Sequence, residues 1–135
     1  MPDKLPQPVE EFRQEYPEVW KAFTQLAGRL HEAGPLDEKT RRLVKLALSI
    51  GAGLEGATHS AVRNAVAKGV TPEEIKHVAV LAVTTLGFPA AIRALTWISD
   101  ELKTDGGVKT RQSEAGWTNY FAKFLRFSVQ PAYLR

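Results

Sequence analysis

In the stretch LEGATHSAVR, residues 54–63, a carboxylate, an imidazole and a guanidinium recur at every fourth position: Glu55, His59 and Arg63. On an α-helix, residues i and i+4 share a face, so the three form one continuous polar stripe. Three chemistries fit it. As an acid/base site, Glu55 and His59 are the catalytic pair: the carboxylate orients the ring, the pair moves a proton on a small organic acid, and Arg63 clamps the substrate's carboxylate. As a metal half-site, Glu55 and His59 offer two ligands from one helix and His77 a third from the next. The usual helical zinc motif, however, has two histidines at i,i+4 with a glutamate between them. This stretch has neither feature, so no metal is expected. As a solvated ladder, the stripe is a pair of i,i+4 contacts worth only ~0.3–0.5 kcal/mol each. Burial separates these readings. A site holds Glu55 and His59 in a pocket, whereas a ladder leaves them wet.

Other residues are candidates for the walls of such a site. His77 lies three residues after Glu74, near the start of a largely apolar helix. It is either a substrate-binding residue that approaches the stripe in an antiparallel packing, or a hydrogen-bonded core or interface histidine. Thr84 and Thr85 interrupt the same apolar helix. They either bond back to carbonyls one turn earlier or line a pocket, and Thr85 is the candidate for substrate contact. Trp97 is the candidate wall.

The elements that must position these residues are helical throughout. Residues 1–8 carry three prolines and read as an extended arm. PVEEFRQEY is a short helix. Pro17 suits the first turn of a second, whose Val19, Phe23, Leu26 and Leu30 recur with helical periodicity, and Gly34-Pro35 ends it. Asp37 is the expected N-cap of a third, in which Leu43, Leu46, Leu48 and Ile50 are expected to be mostly buried. Gly51 and Gly53 break the pattern. The fourth helix, from about Leu54 to Lys68, carries the stripe and stops at Gly69. Thr71, Pro72 and Glu74 then spell a capping box with proline at the first helical position. The helix that follows is nearly all apolar after His77 and is expected to be central. Gly87-Phe88-Pro89 turns the chain into a sixth helix, PAAIRALTWISDELK, closed by Asp105-Gly106-Gly107. No window reads as a strand, so the fold class is all-α.

Length and composition narrow the function. A chain of 135 residues is one domain by size and can bury a core unaided. With no cysteine, disulfides, thiolate nucleophiles and Cys-based zinc sites are excluded. The N-terminus, MPDKLPQPVEEF, lacks the apolar segment of a signal peptide, and the apolar runs are too short to span a bilayer. A cytoplasmic location is therefore expected, with no membrane span. From Thr104 onward five cations face two carboxylates, which accounts for the whole net charge of +3. The body is neutral and carries no nucleic-acid footprint.

The sequence LDEKTRRLVKLALSIGAG, then the stripe helix, then AVAKGVTPEEIKHVAVLAVTTLGFPAAIRAL resembles the carboxymuconolactone decarboxylase / alkylhydroperoxidase D (AhpD-like) superfamily over residues 36–98. The run GVTPEEI followed by an apolar helix and GFPAAIRAL is the most specific part. The resemblance implies an AhpD-like domain of about six helices, assembled as a trimer or hexamer. It also implies where catalytic groups would sit. Leu54 and Ala57 stand where the peroxidase branch has its two cysteines, Ala61 where both branches have a histidine, and Arg42 where the peroxidase branch has an upstream glutamate. A dithiol peroxidase needs one thiolate to attack and one to resolve, so thiol peroxidase activity is not expected.

The reading taken forward is a helical domain over residues 1–103, with a linker and aromatic-rich basic tail over 104–135. Its function is that of a cofactor-free, lyase-like acid/base catalyst on a small carboxylated or lactone substrate. The alternative is a non-catalytic oligomeric binding protein on the same fold. In the tail, Trp117, Tyr120, Phe121, Phe124 and Leu125 form one apolar stripe of a C-terminal amphipathic helix around 114–127. It is expected to dock on another subunit or on its own body.

Overall fold

The computed structural model describes residues 5–104, so the expected tail helix and its docking lie outside the described residues. Six helices follow one another: α1 (Gln7–Glu15), α2 (Pro17–Glu32), α3 (Glu38–Gly51), α4 (Glu55–Ala67), α5 (Pro72–Thr85) and α6 (Phe88–Thr104). No strand occurs among the described residues, and none of their helices is long and apolar enough to cross a membrane. The chain forms two units, Met1–Arg41 and the part that begins at Arg42.

In the first unit α1 packs on α2. Local aromatic pairs support each helix: Phe12 with Tyr16 at 5.2 Å between ring centroids, and Trp20 with Phe23 at 5.8 Å. The periodic apolar face of α2 is present, but Val19, Phe23, Leu26 and Leu30 are exposed and α2 buries no residue. Asp37 caps α3 as expected, its carboxylate accepting from the Thr40 N–H at 2.8 Å. That hydrogen bond is the main reason the Asp37 carboxyl is held below its ordinary range.

The second unit holds the core. Leu46 and Ile50 from α3, Val62 and Ala65 from α4, Val70 from the following turn, Ile75, Ala79 and Ala82 from α5, and Ala91, Ala94 and Ile98 from α6 are all buried. The small alanines let α5 and α6 approach closely. Leu48 does not join them: it is 67% exposed. Leu46 and Ile50 share a face at i,i+4, and Leu48, midway between them in sequence, points away from it. Helix α5 is likewise buried along one face only, with Val80 and Leu81 exposed. Continuous apolar sequence therefore does not bury the whole circumference of the helix, which still gives Ile75, Ala79 and Ala82 to the core.

Glycine turns set both ends of the stripe helix. After α3, Gly53 takes φ +68°, its N–H donates to the Ile50 carbonyl and the Leu54 N–H donates to that of Ser49. After α4, Gly69 takes φ +82°, its N–H donates to the Val66 carbonyl and the Val70 N–H donates to that of Ala65. Each pair of bonds is a Schellman turn, which needs a left-handed residue that glycine adopts without strain. Buried Val70 anchors the second turn against Ala65. The Thr71–Glu74 capping box then starts α5 with both reciprocal bonds formed.

Candidate acid–base site

Helix α4 packs Thr58, Val62 and Ala65 inward. Thr58 is fully buried, and its hydroxyl is satisfied by donating to the Leu54 carbonyl at 2.8 Å. His59 and Arg63 each follow a buried residue by one position, so they stand at the rim of the core rather than on the far side. Helix α6 repeats the arrangement. Ala91, Ala94 and Ile98 are buried, and Trp97 and Glu101 flank that face. Packing α4 against α6 brings the two rims together.

There, one carboxylate oxygen gathers two partners. Glu101 Oε1 lies 2.8 Å from His59 Nδ1 and accepts from Arg63 NH1 at 2.8 Å. The three side chains are only 16–27% exposed. An ionised carboxylate can only accept, so the hydrogen of the Glu101–His59 bond belongs to Nδ1. In the neutral ring this leaves the lone pair on Nε2. Glu55 lies on that side, with its Oε1 3.7 Å from Nε2 and its side chain 66% exposed. The stripe thus divides. His59 and Arg63 are sheltered and held by a carboxylate from another helix, while Glu55 is mostly wet and beyond ordinary hydrogen-bond length.

Trp97 lies beside the pair, its ring centroid 6.5 Å from that of His59 at a 43° tilt. Arg93 places its guanidinium carbon 5.2 Å from the same Trp97 centroid. Arg93, Trp97 and Glu101 repeat at every fourth residue of α6, as Glu55, His59 and Arg63 do on α4, with the charges in reverse order. That second stripe was the signal that could have identified Glu101, which sequence reasoning missed. His77 and Thr85 are both exposed on α5. The Thr85 hydroxyl donates to the Leu81 carbonyl at 3.4 Å, and neither residue bonds to His59, Arg63 or Glu101 among the described residues. Glu55 and Glu101 approach opposite ring nitrogens of His59, a geometry in which the three do not chelate one ion. No set of three metal-ligating side chains converges among the described residues.

The family model described as carboxymuconolactone decarboxylase family matches residues 17–100, well over half of the chain. The matched span runs from the start of α2 through Trp97 and ends one residue before Glu101. No curated protein and no solved structure matches the chain.

Proposed function

The chain belongs to the carboxymuconolactone decarboxylase family, and on that premise we propose that it is a cofactor-free acid/base catalyst acting on a small carboxylated or lactone substrate. The observation that carries this reading is the 2.8 Å contact between Glu101 Oε1 and His59 Nδ1. It fixes the ring and turns Nε2 outward as a base. In the proposed step, Nε2 takes a proton from a carbon next to the substrate's carbonyl, and the electron pair moves into that carbonyl. The imidazolium so formed is stabilised by Glu101 and by Glu55, and it returns the proton to carbon. Glu55 then acts as the outer carboxylate rather than as the residue that orients the ring, and Arg63 holds Glu101 in place. With no cysteine in the chain, dithiol peroxidase chemistry has no nucleophile.

The test is incorporation of solvent deuterium, followed by proton NMR, at the carbon next to the carbonyl of a panel of unsaturated γ-lactone carboxylates and β-keto acids. Exchange above buffer is expected for at least one compound. Because positioned general bases contribute roughly 10²–10⁴-fold, His59→Asn should lose about two orders of magnitude or more. If no compound exchanges faster than in buffer, or if His59→Asn exchanges as fast as the native protein, the catalytic reading fails.

A second reading, an oligomeric binding protein without catalysis, is favoured by a different observation. Large apolar side chains are exposed on several helices, including Phe23, Leu26 and Leu30 on α2 and Val80 and Leu81 on α5. Homo-oligomer assembly, as a trimer or hexamer, is compatible with both readings.

A further inference from the structure

We propose that Arg93 and Trp97 form a docking site for the carboxylate of a planar, conjugated ligand, next to His59. This deepens the reading above by naming the ligand class, and it rests on that reading only for the role of His59. The site that sequence spacing suggested for a ligand carboxylate, Arg63, is already engaged: its NH1 donates to Glu101 at 2.8 Å and its side chain is 27% exposed. Arg93 differs on each count. It is exposed and makes no ion pair or hydrogen bond among the described residues. Its guanidinium instead lies over the Trp97 ring, 5.2 Å from the centroid. A cation held over an aromatic face keeps its in-plane N–H donors available, and that planar fork matches a carboxylate in two-point contact.

The backbone leaves room for this placement. At Gly53 a Cβ would come within 3.3 Å of Arg93 NH2, and the glycine's φ of +68° is one that other residues rarely adopt. The turn that ends α3 therefore passes close to the guanidinium because it has no side chain there. The half-buried indole lies near both groups, its centroid 5.2 Å from the Arg93 guanidinium carbon and 6.5 Å from the imidazole centroid. A ligand whose carboxylate meets Arg93 lays its flat apolar part on or beside Trp97, directed toward His59. Glu55, 66% exposed and 3.7 Å from His59 Nε2, disfavours a negative charge at the imidazole end. The carboxylate is thereby directed to Arg93, and a neutral or carbonyl-bearing end is directed to His59.

The test uses the full chain and two isosteric probes, benzoate and benzamide, at pH 7. Binding is read from the indole N–H signal of Trp97 in proton–nitrogen NMR, assigned with Trp97→Phe. Benzoate is expected to shift that signal saturably and benzamide to bind at least tenfold more weakly. Arg93→Gln should weaken benzoate tenfold or more without changing benzamide or the melting temperature, and Arg93→Lys should fall between. Equal binding of the two probes, undiminished benzoate binding in Arg93→Gln, or no Trp97 shift with either probe would overturn the proposal. The two readings fail separately: absent deuterium exchange with intact, Arg93-dependent benzoate binding removes the catalytic reading alone, whereas exchange with Arg93-independent binding removes the docking site alone.

Discussion

At Glu101 a single carboxylate oxygen accepts from both an imidazole and a guanidinium in a mostly sheltered position. Removing it strands two half-buried donors at once. Glu101→Ala should cost ~1–3 kcal/mol, the range for leaving buried polar groups unpaired. Glu55→Ala should stay within ~0.5 kcal/mol, as exposed substitutions do. Urea denaturation of the two variants checks the contrast, and equal losses would mean that Glu101 holds the imidazole no more firmly than Glu55 does. The contrast also shows what was legible in the sequence. His59 and Arg63 stand out because helical periodicity is local, and four-residue spacing already places them on one face. Their partner lies 42 and 38 positions away, and only the packing of α6 on α4 selects it. In the sequence Glu101 is marked only by its four-residue spacing from Trp97 and Arg93, which puts it on a helix face without naming its partners.

At the scale of elements, the caps and turns carry the order of the helices, and these were the most readable features because their chemistry lies within a few residues. Thr71→Ala should lower stability by ~1 kcal/mol, the usual worth of an N-cap. The two glycine turns make a sharper comparison. Gly69→Ala should cost ~1–2 kcal/mol from the left-handed backbone alone, since nothing lies within 4 Å of the added methyl. Gly53→Ala should cost at least as much and also displace Arg93, visible as a changed Trp97 indole signal that Gly69→Ala leaves in place. Asp37 gives a pH dependence of known sign. Its folded carboxyl is held low, chiefly by the Thr40 N–H. Its contribution is therefore complete above the ordinary aspartate range and lost as pH falls through the lower folded value. Asp37→Asn should flatten that acid limb of the stability curve, and an unchanged limb in a pH series of urea melts would remove the cap from the explanation. Burial was less legible than helix placement. Leu46 and Leu48 have the same side chain two residues apart, yet one is fully buried and the other 67% exposed, because the rotation of α3 depends on what it packs against.

For the whole molecule, the exposed apolar residues call for an explanation. Fourteen large hydrophobics are exposed among the described residues, four of them spaced along one face of α2, and large exposed apolar patches mark interaction sites. We propose that a homo-oligomer covers them, and light scattering should then report a mass above the 14.9 kDa of one chain. A monomer at micromolar concentration would contradict it. Deleting the residues after Lys103 should lower the stability of that assembly and raise binding of an apolar dye, as expected if the aromatic tail covers part of this surface. Full assembly and an unchanged melting temperature in the truncated chain would show that the tail serves something else.

The most direct measurement is the protonation pattern of the His59 ring, read from long-range proton–nitrogen correlations at a pH where the ring is neutral. The hydrogen is predicted on Nδ1, donated to Glu101, with a bare Nε2, and Glu101→Ala should erase that preference. A neutral ring that carries its hydrogen on Nε2 in the native protein would contradict a base oriented by Glu101.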